Sequence, residues 1–172
     1  MDQGKVQVYT GNGKGKTTAA VGLAVRAAGA GLRVYFGQFM KNNETGELAA
    51  FRALGDRIEA EQYGTGGEIA APDPQADALS ARAGLERARE ALLSGRYDIV
   101  VLDEANVADA LGYLDTGSLL ELIRERPAGV ELVLTGRGAG GDIRAAADLV
   151  TEMREVKHYF RDGVPARRGI EF

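Results

Sequence analysis

The sequence predicts a single α/β domain over residues 1–172, three layers deep, with a mostly parallel sheet and helices on both faces. Three observations lead there. Short apolar runs alternate with segments of helical periodicity along the chain. Residues 99–102 are apolar throughout, and 130–135 read as another strand of the kind buried on both faces. A glycine-rich turn at residues 11–15 separates the first such run from the first helical segment.

The elements follow in order. Residues 6–10 form the first strand and end at the glycines. Residues 16–28 are alanine-rich and helical, with Val21, Val25 and Ala28 on the expected buried face. Residues 32–39 and 58–63 are the next two strands, with a short helix over 47–54 between them. Residues 64–77 have the glycine and proline content of a loop. That loop leads into a helix whose Ala81, Leu85, Ala88 and Leu92 line one side as core. After the strand at 99–102, Ser118-Leu119-Leu120-Glu121 has the capping-box pattern, opening a helix that runs to Arg126. A strand at 130–135 comes next, then a helix capped by Asp142, then a last strand over 149–156 before a basic tail.

In parallel sheets of this kind, ligands bind at the carboxyl ends of the strands. The chemically distinctive residues fall at those ends: Gly11, residues 38–41, Asp103-Glu104 and Gly136-Arg137. Composition narrows the chemistry further. A net charge of −4 argues against a nucleic-acid partner. With no apolar run of membrane-spanning length and no leader pattern, the expectation is a chain with no membrane contact, suited to a cytoplasm. The absence of Cys excludes a disulfide framework, a thiolate zinc site, an iron–sulfur cluster and a cysteine nucleophile. One histidine excludes a multi-histidine metal cluster, and His158 reads as a packed or surface residue.

"TGNGKGKTTAA", residues 10–20, matches G-x-x-x-x-G-K-[ST] except that Thr10 stands where the first glycine belongs. A polyphosphate needs inward-facing backbone N–H groups, a cation and a helix N-terminus. Gly11, Gly13 and Gly15 permit the tight wrap, Lys16 brings charge, and Thr17 offers a hydroxyl to Mg²⁺. The architecture is therefore of the P-loop NTPase (RecA-like) type. In "YDIVVLDE", either Glu104 or Asp103 would present a carboxylate to that metal. Arg137 in "LTGRGAGG" reads either as a phosphate contact or as a surface arginine, and Lys41 has the same two readings.

The chain resembles the ATP:corrinoid adenosyltransferases of the P-loop type. The resemblance runs through "TGNGKGKTTAA", "GLAVRAAGAGLRV", "QFMK", "VVLDE", "GYLD", "LTGRG", "ADLVTEMREVKH" and "GIEF", in that order. Threonine in the first glycine's place is how this family writes its loop. The resemblance implies that a cob(I) corrinoid attacks the 5′ carbon of ATP and that triphosphate leaves. Carried over by position, Gly11, Asn12, Gly13, Lys14, Gly15, Lys16, Thr17 and Thr18 would bind the triphosphate. Thr17 and Glu104 would hold Mg²⁺, Arg26 and Arg137 would join the nucleotide site, and Lys14, Lys16, Arg137 and the Mg²⁺ would offset charge on the leaving group. A homodimer and a flavoprotein reductant are also implied.

One stretch departs from that family. Better-known members carry Gly-Phe-Thr-Trp before the long helix, where its aromatics press on the corrinoid; this chain has Gly66-Gly67-Glu68-Ile69. Tyr63, Phe39, Phe51 and Tyr113 are the candidates for a replacement apolar face. The chain is similar to a shorter branch described as acting on cob(I)yrinic acid a,c-diamide. Two other functions fit a phosphate loop: a kinase or ATPase acting at the γ-phosphate, and a non-catalytic corrinoid- or nucleotide-binding protein.

Overall fold

The computed structural model describes residues 3–65 and 73–172. Six strands and six α-helices follow along it, alternating except where two helices stand between the fourth and fifth strands. They are β1 (Val6–Thr10), α1 (Lys16–Gly29), β2 (Val34–Phe39), α2 (Gly46–Ala53), β3 (Ile58–Tyr63), α3 (Pro74–Leu93), β4 (Ile99–Asp103), α4 (Ala105–Ala110), α5 (Thr116–Glu125), β5 (Glu131–Thr135), α6 (Gly141–Ala146) and β6 (Leu149–Glu152). The strands make one sheet in the order β3-β2-β4-β5-β1-β6, and every pairing is parallel. The predicted α/β fold is the one observed.

Period-2 alternation divides the core into two layers. Val100, Leu102, Leu132 and Leu134 face one way, against α3, α4, α5 and α6. Ile99, Val101 and Val133 face the other, against α1 and Phe51 of α2. Central strands β2, β4 and β5 are buried at every residue, whereas edge strand β6 is exposed at every residue. Apolar sequence in the middle and polar sequence at the rim follow from that order.

Several local expectations are corrected. The buried stripe of α1 is Lys16, Ala20, Ala24, Ala27 and Ala28, while Val25 is 40% exposed. Small side chains let this helix approach the sheet closely, so alanines and not valines take the inner face. Ser118 does not open α5: Asp115 is the cap, accepting from the Ser118 N–H, and Ser118 sits inside the first turn. Asp142 likewise lies in the first turn of α6, whose cap is Gly140 without a side-chain bond. Strand β6 stops at Glu152, and the backbone beyond it turns to brace the glycine loop. The buried face of α3 is as expected, with Ala81, Leu85, Ala88 and Leu92 all in the core.

Candidate functional site

Register places Thr10, Phe39, Asp103 and Thr135 at one edge of the sheet. The glycine loop leaves that edge from β1 and enters α1. Thr10 is still part of the strand, so no left-handed turn is needed there; the turn begins at Gly11, with φ of 94°. This explains why a threonine fits the first position. Its hydroxyl accepts from the Ala139 N–H at 3.3 Å and ties the loop to the segment before α6. Gly13 donates its N–H to the Met153 carbonyl at 2.7 Å. A Cβ on Gly13 would fall 2.8 Å from the Met153 oxygen, so only glycine tolerates that approach.

Lys16, 7% exposed, lies across the loop and donates to the carbonyls of Gly11 at 2.7 Å and Gly13 at 2.8 Å. Burial pulls its ammonium below the usual lysine range; Glu104 and Asp103 oppose that, and Arg137 reinforces it. Behind the loop stands the N-terminus of α1, whose first-turn N–H groups have no partner within the helix.

At the end of β4 the two acids diverge. Asp103 is fully buried; one oxygen accepts from Thr17 Oγ1 at 2.8 Å and Thr135 Oγ1 at 2.6 Å, the other from Lys41 Nζ at 2.9 Å. Glu104 adopts the left-handed conformation at φ 61°, unusual outside glycine, and its N–H donates to Thr135 Oγ1 at 3.0 Å. That twist turns it into the cleft. Burial raises the Glu104 carboxyl above its usual range, with Asp103 adding to the rise and Lys41, Lys16 and Arg137 opposing it. The acid bonded to Thr17 is thus Asp103, while Glu104 faces the cavity.

An open cleft of about 670 Å³ gathers these groups. Asn12, Gly13, Lys14, Gly15, Lys16, Thr17, Thr18, Glu104 and Arg137 all line it, as does Lys41. Gly11 belongs to the same loop. Arg26 does not join them. It lies ten residues along α1 from Lys16, about 15 Å at 1.5 Å per residue, and exerts its charge on Tyr9.

Other lining residues carried no local signal. His158 borders the cleft, with its Nδ1 accepting from the Phe160 N–H at 3.1 Å. Residues 169–172 and the start of α2, including Thr45 and Glu47, also reach it. Phe39 and Phe51 are 0% and 1% exposed and belong to the core, which removes them as a corrinoid face. Tyr63 bonds Tyr35 and Glu61 through its hydroxyl and packs over Gly84. Gly66-Gly67-Glu68-Ile69 lie outside the described residues.

The donor set suits Mg²⁺, a hard cation that takes oxygen ligands and keeps several waters. Thr17 offers a hydroxyl and Asp103 and Glu104 offer carboxylates; among the described residues no cluster of three or more metal-ligating side chains exists to cage an ion. Such an ion would therefore draw ligands from a bound phosphate.

Residues 2–172 match the family model described as ATP:corrinoid adenosyltransferase BtuR/CobO/CobP. The chain belongs to this family. It is similar to the corrinoid adenosyltransferase of Pseudomonas aeruginosa, 41% identical over 172 residues that cover 99% of this chain and 85% of that protein. The corrinoid adenosyltransferase of Escherichia coli strain K12 is 37% identical, with 99% and 87% covered. That of a Sinorhizobium species is 36% identical over 174 residues, with 99% and 81% covered. Membership makes this an enzyme of the corrinoid adenosyltransferase kind, with a corrinoid and ATP as the substrates the family implies. Among the described residues no helix is long and apolar enough to cross a membrane.

Proposed function

We propose that the chain moves the 5′-deoxyadenosyl group of MgATP to the cobalt of a cob(I) corrinoid and releases triphosphate. The electron pair on cobalt forms the bond to the 5′ carbon as the bond from that carbon to the triphosphate oxygen breaks. Cob(I) is already a strong nucleophile, so no side chain has to be activated. The protein's part is alignment and charge neutralisation.

The observation that carries this reading is the concentration of cationic groups around the glycine loop: Lys14, Lys16, Lys41 and Arg137 share one cleft with the N-terminus of α1. That is a cradle for a leaving polyphosphate. Thr17, with Asp103 or Glu104, would hold Mg²⁺, which supplies further neutralisation of the departing charge. Arg137 is exposed at the cleft and suits a mobile contact that forms as charge develops. A γ-phosphoryl transferase is favoured less, because the family whose model the chain matches is described by adenosyl transfer to a corrinoid and not by phosphoryl transfer. The same reading includes a flavoprotein that supplies the electron bringing cobalt to cob(I), and a homodimer.

One anaerobic assay with several corrinoids, following organocobalt absorbance and the phosphate product together, tests the proposal. Triphosphate appearing in step with the cobalt–carbon band is the expected result. ADP or phosphate without that band would remove it, and binding of both substrates without turnover would favour a carrier.

A further inference from the structure

An ammonium group has three N–H donors. All three of Lys14 are used within the chain, on Glu171 Oε1 at 2.6 Å, the Tyr159 hydroxyl at 3.0 Å and the Ile170 carbonyl at 3.1 Å. Glu171 is itself held, accepting the Arg167 N–H at 2.7 Å, two guanidinium contacts at 3.4 Å and the Tyr159 hydroxyl. Arg167 lies over the Tyr159 ring, 4.8 Å from its centroid. The Gly169 N–H donates to the Phe172 carbonyl at 2.7 Å, which folds residues 169–172 into a tight turn against the cleft. Glu171 therefore stands beside the glycine loop as an anion, its carboxyl held well below the usual range by the Lys14 bond first, then by Tyr159 and Arg167.

The two loop lysines are in different states. Lys16 uses two donors on loop carbonyls and keeps one. Lys14 has none left. A phosphate can reach Lys14 only by displacing one of its present acceptors, and the carboxylate is the acceptor that repels an incoming anion. We propose that residues 169–172 form a strap across the cleft, in which Glu171 occupies Lys14 in place of a phosphate and is exchanged for it when polyphosphate binds. This rests on reading the loop as a triphosphate site. The Lys14–Glu171 pair faces solvent, with side chains 37% and 20% exposed, so it is weak enough for the exchange to be reversible. The strap lowers affinity for polyphosphate below what the loop alone would give, and its release opens the rim as the ligand seats.

Inorganic tripolyphosphate is the probe, titrated calorimetrically into the full chain and into Glu171→Gln, which keeps an acceptor but loses the charge. The variant is expected to bind about two- to fivefold more tightly at low salt, the scale of a solvent-facing ion pair, with the gap closing as salt rises. Equal or weaker binding overturns the strap. Hydrogen exchange gives a second readout on the unmodified chain: amides of residues 169–172 should exchange faster with tripolyphosphate present. Slower or unchanged exchange would make the segment a fixed wall and defeat the proposal. If the unmodified chain fails to bind tripolyphosphate at all, the loop reading falls and the strap with it. If it binds, is lost in Lys16→Ala, and shows no gain in Glu171→Gln, the strap alone falls.

Discussion

Thr17 donates its hydroxyl to Asp103 at 2.8 Å, from the first turn of α1 to the end of β4. This bond joins the phosphate loop to the strand that carries the acids. It also separates the roles of the two neighbouring carboxylates, one saturated within the protein and one turned into the cleft.

Substituting each acid should therefore give different outcomes. Asp103→Asn sets an amide N–H against the Lys41 ammonium, or against Thr17 if it flips, and leaves a buried donor unmatched. We expect a loss of about 1–3 kcal/mol of stability in chemical denaturation, with activity lost alongside. Glu104→Gln removes a charge that burial disfavours, so stability should change by less than about 1 kcal/mol. Its activity should fall by about 10²-fold with a weakened Mg²⁺ titration, the range for loss of one preorganised electrostatic group. An unchanged metal titration in Glu104→Gln, with a shifted one in Asp103→Asn, would transfer the metal role to Asp103.

Lys16 is the cation nearest the loop's interior. Lys16→Met keeps the buried stem and removes the ammonium. We expect kcat/KM for ATP to drop by about 10²–10³-fold, the cost of removing one preorganised charge-stabilising donor. The thermal midpoint should hold nearly constant, because the two lost carbonyl bonds are offset by relief of a desolvated charge. Full activity in this variant would contradict the loop assignment.

Much of this was readable from sequence because the informative residues are local. A strand, a glycine turn and a helix start are contiguous in residues 6–20, and "VVLDE" is a strand and its end in one run. What escaped depends on contacts between distant residues. Met153 braces Gly13 across 140 positions, and Glu171 meets Lys14 across 157. No periodicity marks such pairs. The different surroundings of Asp103 and Glu104 escaped for a related reason: they follow from the left-handed backbone at Glu104, which neighbouring residue types do not announce. Arg26 is the converse case: it matches the family by position, yet it stands in the last turn of α1, ten residues from Lys16, and is not among the residues lining the cleft.

The glycines of the loop and of α1 should respond oppositely to alanine. Gly13→Ala places a methyl 2.8 Å from the Met153 oxygen and the Arg154 carbonyl carbon, both backbone atoms that cannot step aside. The loop should shift, costing about 1–3 kcal/mol and most of the nucleotide affinity. Gly22 sits inside α1 with open space where its Cβ would go. Gly22→Ala should raise stability by about 0.5–1 kcal/mol with activity intact. A destabilised Gly22→Ala would mean that an unseen partner packs on that face of the helix.

Alkaline pH should unfold the protein through its buried tyrosines. Tyr97, 6% exposed, is pushed up to about 12 by burial, then by its hydroxyl bond to Glu59 and the nearby Glu59 charge. Tyr35 and Tyr63 are also raised, chiefly by burial, and share a hydrogen-bonded cluster with Glu61. For each, the native state keeps its proton at a pH where the unfolded chain, near the ordinary tyrosine value of 10.0, has begun to lose it. The unfolded state then binds fewer protons, so stability falls as pH rises. The Tyr97 contribution is fully present below pH 10 and is lost between about 10 and 12, at about 1.4 kcal/mol per pH unit, while the loss from Tyr35 and Tyr63 starts at the same pH and continues above that window. Circular dichroism at stepped pH should show a steep transition in that window. Tyr97→Phe, which cannot ionise, should flatten it, and a slope unchanged in Tyr97→Phe would show that this tyrosine does not drive the alkaline transition.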